Sequence, residues 1–244
     1  MPPPLQRELP LAQKSLAMWD DLAAELGADP GFRRTGLVYV TTKPEDLALW
    51  EAWTLKARDY QMHSHVLSAA EARAMTPGSP VDWIGGVHSP TDGKAEPAIA
   101  GPLIAEGARR RGATLHQNCA ARGLDIEGGR VAGVVTEKGR IRARAVLLAG
   151  GAWSSMFCRH HGLRLPQAGV TSTSFYTDAA PSVTEGGLSM PDVTIRRRLD
   201  GGYSVGLSGR GLLDLSPQGL LYARDFWPTF RKRRAMLNIR VGRA

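Results

Sequence analysis

The sequence predicts an α/β fold of mixed α+β character, and three features predict it. Apolar residues at helical spacing alternate with runs rich in β-branched residues in the first half of the chain. Residues 120–144 hold three strand candidates separated by glycine-containing turns, which is typical of an antiparallel meander. Residues 145–149, Ala-Val-Leu-Leu-Ala, are apolar without alternation, as expected of a strand buried on both faces of a parallel sheet.

Helices are predicted from apolar periodicity and from the residues that start and stop a helix. Residues 12–26 repeat apolar side chains at helical spacing, and Gly27 supplies a stop. Thr42 and Glu45 fit a capping box at the start of the second helix. Further helices are expected at residues 68–75, 98–111, 154–161, 216–224 and 228–234.

Strands and one glycine turn complete the expected elements. Strands are expected at residues 36–40, 83–87, 120–126, 131–136, 140–144, 145–149, 170–177, 193–198, 202–207 and 237–241. Gly150, Gly151, Ala152 and Trp153 follow the apolar run and precede a helix. A strand, a glycine turn and a helix in sequence let the backbone approach a ligand closely. A tight turn without a ligand explains the same residues equally well.

Composition excludes several classes of protein. With 43% apolar and 22% charged residues, the chain is neither disordered nor collagen-like. The longest apolar run, residues 145–153, is too short to span a membrane, and the first residues predict no secretory signal. Cys119 and Cys158 are too few for a disulfide framework, which favours a cytoplasmic protein.

The net charge of +8 comes mostly from three basic clusters at residues 109–111, 196–198 and 231–234. Clusters separated by long neutral stretches are more typical of solvated surfaces than of phosphate recognition, and no nucleic-acid-binding motif accompanies them. We therefore expect no nucleic-acid partner. A binding protein that uses residues 231–234 is the alternative, and salt-dependent retention on DNA would support it.

Several motifs of common enzyme classes do not occur in the sequence. The dinucleotide-binding G-x-G-x-x-G is missing, and residues 206–211 have the spacing G-x-x-G-x-G after an expected hairpin, which indicates a flexible loop. Cys158, His160 and His161 lack a second pair of ligands at suitable spacing, so no metal site is predicted. The G-x-S-x-G motif that is typical of serine hydrolases does not occur, so the sequence does not support serine hydrolase chemistry.

One ordered series of motifs indicates a family. Ser89-Pro-Thr-Asp92-Gly93-Lys-Ala-Glu96-Pro97 precedes a helix, Asn118-Cys-Ala-Ala121-Arg-Gly-Leu opens the meander, and Ala145-Val-Leu-Leu-Ala-Gly150-Gly151-Ala152-Trp153 follows it. In this order the motifs resemble the FAD-dependent amino-acid oxidoreductases of the D-amino-acid oxidase superfamily, which includes glycine oxidase, sarcosine oxidase and D-amino-acid dehydrogenase. The resemblance covers residues 10–240.

The resemblance implies an incomplete FAD-binding domain of the glutathione-reductase type beside a substrate domain built on a mixed sheet. It assigns residues 1–90 and 166–244 to the substrate domain and residues 91–165 to the FAD domain. The implied reaction removes a hydride from the α-carbon of a small-molecule amine or D-amino acid and yields an imine, with FAD as the cofactor. The residues implied to lie near FAD are Ala121, Gly150, Gly151, Ala152 and Trp153.

Two parts of the family pattern have no counterpart in this sequence: the N-terminal strand, G-x-G-x-x-G and helix that hold the pyrophosphate, and the C-terminal segment. The alternative hypothesis is therefore a non-catalytic fragment or subunit, in which a partner chain or self-association completes the FAD domain. Tyr176 and Tyr203 lie on expected substrate-domain strands, where they face either the substrate pocket or the core and sheet surface. No catalytic residue is assigned.

Overall fold

The computed structural model describes residues 8–241. The chain divides into two compact units. Of the described residues, unit 1 combines those up to Ala113 with Ser172–Gly209, and unit 2 combines Thr114–Thr171 with those from Arg210 onward. None of the helices within residues 8–241 has the length and apolar content needed to cross a membrane.

The described chain contains helices, short strands and two 3₁₀ turns. The helices are α1 (Leu9–Leu26), α2 (Pro44–Arg58), α3 (Ala69–Ala74), α4 (Pro97–Arg110), α5 (Ser154–His160), α6 (Pro217–Leu221) and α7 (Ala223–Arg233). The 3₁₀ turns cover Gly151–Trp153 and Arg234–Met236. The strands are β1 (Arg33–Arg34), β2 (Leu37–Thr41), β3 (His65–Ser68), β4 (Gly85–Ser89), β5 (Gly93–Lys94), β6 (Ala121–Glu127), β7 (Arg130–Thr136), β8 (Gly139–Arg142), β9 (Val170–Thr171), β10 (Ser174–Tyr176), β11 (Gly187–Ser189), β12 (Val193–Arg197), β13 (Tyr203–Leu207), β14 (Gly211–Asp214) and β15 (Leu237–Arg240).

Unit 1 is built on a seven-stranded mixed sheet with the order β10-β13-β12-β11-β2-β4-β3. All of its neighbouring strands are antiparallel except β2 and β11, which are parallel with Leu37 opposite Gly187. A mixed sheet is therefore present, as expected from the sequence. A separate two-stranded ladder pairs β1 with β5 and places Lys94 opposite Arg33.

The core of unit 1 lies on one face of this sheet. Val38 and Val40 of β2, Leu67 of β3 and Leu188 of β11 are buried there, because alternate residues of a strand point to the same face. Ala72 of α3 and Trp83 complete the cluster. The residues between these positions point away from the core and form the second face.

Of two helix ends predicted from local sequence, the structure confirms one and contradicts the other. Gly27 ends α1 in the left-handed conformation with a φ of 66°, as its sequence predicts. The capping box predicted for Thr42 and Glu45 is wrong. Because Pro44 is the first residue of α2, Lys43 takes the N-cap position, and no side chain caps it.

The described part of unit 2 contains two small sheets and three helices. The meander β6-β7-β8 is antiparallel throughout, which confirms the prediction. A second sheet has the order β15-β14-β9, with β14 and β15 parallel. His161, the residue directly after α5, contacts the meander, because its Nε2 accepts a hydrogen bond from the Leu124 amide at 2.9 Å.

The buried strand predicted at residues 145–149 is wrong. Residues 145–150 form neither helix nor strand, and Leu147 is 91% exposed. An apolar run becomes a buried strand only where neighbouring strands satisfy its backbone N–H and C=O groups. Within residues 8–241 no strand pairs with this segment, so its apolar side chains lie largely at the surface of unit 2.

The division into an FAD-domain segment and two substrate-domain segments stays a prediction. Unit 1 and unit 2 are defined by packing alone, and their boundaries at Ala113, Ser172 and Arg210 differ from those implied by the resemblance.

Candidate functional site

A cleft lies on the second face of the seven-stranded sheet of unit 1. On β2, Leu37 and Tyr39 point to this face, opposite the buried Val38 and Val40. The cleft has a volume of about 560 Å³, which falls within the range of pockets that bind small molecules. Its polar lining residues are Tyr39, Lys94, Ser174, Ser189, Thr194, Arg196 and Ser204.

Two glycines, Gly187 of β11 and Gly206 of β13, line the cleft without adding a side chain to it. A Cβ at Gly187 would lie 2.8 Å from Leu37 Cδ1, and a Cβ at Gly206 would lie 3.0 Å from Thr194 Oγ1. Both contacts are closer than ordinary van der Waals packing allows, so a side chain at either position would displace its neighbour. The two glycines therefore leave Leu37 and Thr194 in place on the surface of the cleft.

Arg196 lines the cleft and forms an ion pair with Glu96, whose carboxylate lies behind it and is not part of the cleft lining. Their side chains are only 27% and 11% exposed, and Arg196 Nη1 lies 3.1 Å from Glu96 Oε1. Arg196 Nη2 also donates to Glu96 Oε2 at 3.3 Å and to Ser204 Oγ at 3.2 Å. Glu96 Oε1 accepts a further hydrogen bond from the Leu199 amide at 3.2 Å. The pair fixes the start of α4 against β12 and leaves little of the guanidinium free for a ligand.

Lys94 brings a second cation to the cleft. Its Nζ donates to the carbonyl oxygens of Glu185 at 2.6 Å and of Arg197 at 2.8 Å. Burial lowers the pKa of Lys94 below its usual value, and the nearby arginines lower it further, while Glu185 and Glu96 act in the opposite direction. The two carbonyl oxygens hold the ammonium in position.

Tyr39 supplies a phenol to the cleft. Its ring packs near Trp50, with centroids 6.3 Å apart. Burial raises the pKa of Tyr39 above its ordinary value, and the charge of Asp92 adds to this effect. The phenol is therefore protonated at neutral pH and is able to donate a hydrogen bond.

Two histidines lie opposite each other on β3 and β4. The rings of His65 and His88 meet edge to face, with centroids 5.3 Å apart. Burial lowers the pKa of His88, the charge of His65 lowers it further, and Asp92 partly offsets both. Burial also raises the pKa of Asp92. Burial therefore favours the neutral form of the His88 imidazole.

Neither tyrosine predicted from the sequence to contact substrate lines the cleft. Tyr203 is buried, and its hydroxyl donates to Pro181 O at 3.2 Å and accepts from the Val183 amide at 2.9 Å. Tyr176 is 75% exposed, with the Arg198 guanidinium 4.7 Å from its ring centroid. A substrate role for these two residues stays a prediction.

The residues implied to lie near FAD all belong to unit 2. Gly151 has a φ of 53°, and a Cβ there would meet nothing within 4 Å. Gln167 braces the turn, because its Nε2 donates to Gly151 O at 3.1 Å and its Oε1 accepts from the Ser155 amide at 2.8 Å. Trp153 is 74% exposed, and Ala121 is exposed at the start of β6. The turn thus presents open main chain beside an exposed indole.

Sequence reasoning missed Lys94, Glu96 and Arg196 as neighbours in one site. The cluster at residues 196–198 was expected to be solvated surface, yet its three arginines pair in turn with Glu96, Glu185 and Asp200. The partner of Arg196 comes from a distant part of the sequence, so no local pattern points to it. In the part of the chain that the structure describes, no group of three or more His, Cys, Asp or Glu side chains is arranged to hold a metal ion.

Comparison with known proteins places these features in a family. A family model described as "DAO: FAD dependent oxidoreductase" matches residues 2–233. Mouse mitochondrial sarcosine dehydrogenase is 30% identical over 179 residues, which cover 71% of this chain and 19% of that protein. Glycine oxidase from Pseudomonas aeruginosa is 32% identical over 151 residues, which cover 62% of this chain and 40% of that protein.

Solved structures show the same fold. L-amino acid deaminase from Proteus vulgaris superposes with a TM-score of 0.88 at 24% identity, covering 98% of this chain and 56% of that chain. Glycine oxidase from Geobacillus kaustophilus superposes with a TM-score of 0.74 at 24% identity, covering 82% of this chain and 55% of that chain. The chain therefore spans little more than half the length of these structures and less than half of the two relatives described above.

Proposed function

The chain belongs to the DAO family of FAD-dependent oxidoreductases, and from this premise we propose that it supplies the substrate cleft of an enzyme that oxidises amines or D-amino acids. The proposed reaction removes a hydride from the α-carbon of the substrate and yields an imine, which water hydrolyses. The observation that carries this proposal is the cleft of unit 1, where hydroxyl groups, a phenol and two cations face one cavity of small-molecule size.

The turn in unit 2 is compatible with the cofactor of this family. FAD accepts the hydride when it is bound. Gly151 lacks a side chain, and the space beside it is open, so a planar ring is able to lie against the main chain of residues 150–153. Trp153 offers an exposed aromatic surface next to the turn, and we assign Ala121 to the same cofactor.

The residues of the cleft orient the substrate. Tyr39 keeps its proton at neutral pH because burial raises its pKa, so it acts as a hydrogen-bond donor. Arg196 is held by Glu96 and Ser204, so it forms a rigid part of the cleft lining. Such fixed groups lower the cost of ordering a bound substrate.

The proposal is tested first by flavin retention. The purified chain is incubated with FAD, desalted and examined by visible spectroscopy, and D-alanine is then added without oxygen. We expect a retained flavin band that D-alanine bleaches. A band that D-alanine and other amines leave unchanged would contradict the proposed reaction, while a colourless protein would contradict the assignment of residues 150–153 to FAD in this chain.

A non-catalytic subunit completed by a partner chain is the alternative, and the family match does not favour it. The same experiment separates the two hypotheses. A chain that remains colourless alone and acquires a flavin band only after a second protein is added would support the subunit.

A further inference from the structure

The cleft of unit 1 contains a cation that no carboxylate of the described chain balances. Lys94 Nζ donates to the backbone carbonyls of Glu185 and Arg197, and it makes no ion pair within residues 8–241. We propose that Lys94 binds the carboxylate of an amino-acid substrate and thereby selects amino acids over amines that lack a carboxylate. This inference rests on the proposed function, because it concerns the same cleft.

The two glutamates whose charges act on Lys94 are already neutralised by arginines. The Glu185 carboxylate lies 3.0 Å from Arg197 Nη1. The Glu96 carboxylate is paired with Arg196 through both guanidinium nitrogens. Because each of these carboxylates is paired with an arginine, the Lys94 ammonium has no carboxylate partner among the described residues.

Backbone carbonyls solvate the Lys94 ammonium without cancelling its charge. An ammonium has three N–H donors, and two of them are used by the carbonyl oxygens. A carboxylate adds an opposite charge and a charge-assisted hydrogen bond to the third donor. Partial burial strengthens both interactions, because water screens them less than at a free surface.

The surroundings of Lys94 leave room for such an acid. Its chain neighbours Gly93 and Ala95 are small and also line the cleft, as does Gly187 across from them. Thr194 and Ser189 place hydroxyl groups on the same surface. A small amino acid is therefore able to reach the ammonium and still contact a polar strand.

Carboxylate binding is tested without flavin and without turnover. The full chain is labelled with ¹³C at the lysine Cε atoms, and sodium acetate is added while NMR follows the signal of Lys94, which is assigned by its absence from Lys94→Met. We expect a saturable shift with acetate and none with acetamide, the neutral isostere, or with sodium chloride at equal ionic strength. No saturable response to acetate, or an equal response to chloride, would overturn the proposal.

Matched variants separate binding from folding. Lys94→Met is expected to bind acetate about tenfold more weakly or worse in calorimetric titrations. Lys94→Gln keeps N–H donors for the backbone carbonyls and removes only the charge, and it should lose acetate binding while its thermal unfolding stays close to that of the parent. Lys56→Met, at an exposed position of α2, should bind acetate as the parent does. A folded Lys94→Gln variant with unchanged acetate affinity refutes the assignment.

Turnover provides an independent readout of selectivity. With FAD bound, Lys94→Gln should lower kcat/KM for D-alanine at least about tenfold more than it lowers kcat/KM for ethylamine, which lacks only the carboxylate. Equal losses for both substrates would contradict a role in carboxylate selection. If the parent oxidises neither substrate, the proposed function fails, whereas the acetate titration still decides whether Lys94 binds a carboxylate.

Discussion

Replacing Glu96 with alanine is expected to destabilise unit 1 by about 3 kcal/mol. Removing one partner of a buried ion pair costs about 3–5 kcal/mol, because the other charge is left uncompensated. Arg196 is 27% exposed and keeps the Ala95 carbonyl and the Ser204 hydroxyl as acceptors. These contacts place the expected loss at the lower end of that range.

The loss is measured by urea unfolding, followed through near-ultraviolet circular dichroism, to which the buried Trp83 in the core of unit 1 contributes. Glu96→Leu combined with Arg196→Leu should recover most of the stability, since replacing both charges with apolar groups is often neutral. Glu106→Ala, which removes the exposed partner of Arg109 on α4, serves as the control and should leave the unfolding midpoint unchanged. A loss below about 1 kcal/mol in Glu96→Ala would refute the reasoning.

Three further perturbations test other features. Gly151→Val should reduce flavin retention, because a β-branched residue is strained at a φ of 53°, and Gly151→Ala should reduce it less. In Gly133→Ala the new Cβ would overlap the carbonyl oxygen of Ile141, so the meander should lose about 1–3 kcal/mol in thermal unfolding. Burial keeps the pKa of His88 below its unfolded value of about 6.5. The fold is therefore more stable above about pH 6.5, where His88 is neutral, and loses stability as the pH falls and His88 gains a proton. His88→Phe removes this titration, so the urea midpoint should depend less on pH between 8 and 5.

Elements with a strong local signal could be predicted from the sequence. The left-handed end of α1 at Gly27 follows from one residue type at one position. The meander follows from three short strand candidates and the glycine-containing turns between them. In both cases the structure depends on residues that are close in the chain.

The remaining features depend on partners far away in the sequence. Residues 145–149 have the composition of a buried strand, yet burial also requires neighbouring strands, which composition does not reveal. Residues 170–177 read as one strand, whereas β9 and β10 pair with different sheets. The cleft was missed for the same reason, because Lys94 and Arg196 lie far apart in the sequence and line one cavity only in the folded protein.

The parallel pair of β2 and β11 has a consequence for synthesis of the chain on the ribosome. Strands β2, β4 and β3 are complete once Ser89 has been made, but the neighbour of β2 on its other side arrives only with Gly187–Ser189. Until then the open edge of β2 is a template for pairing with another nascent chain. Folding of unit 1 should therefore be slow and sensitive to protein concentration, and chaperones that bind extended segments should raise its yield.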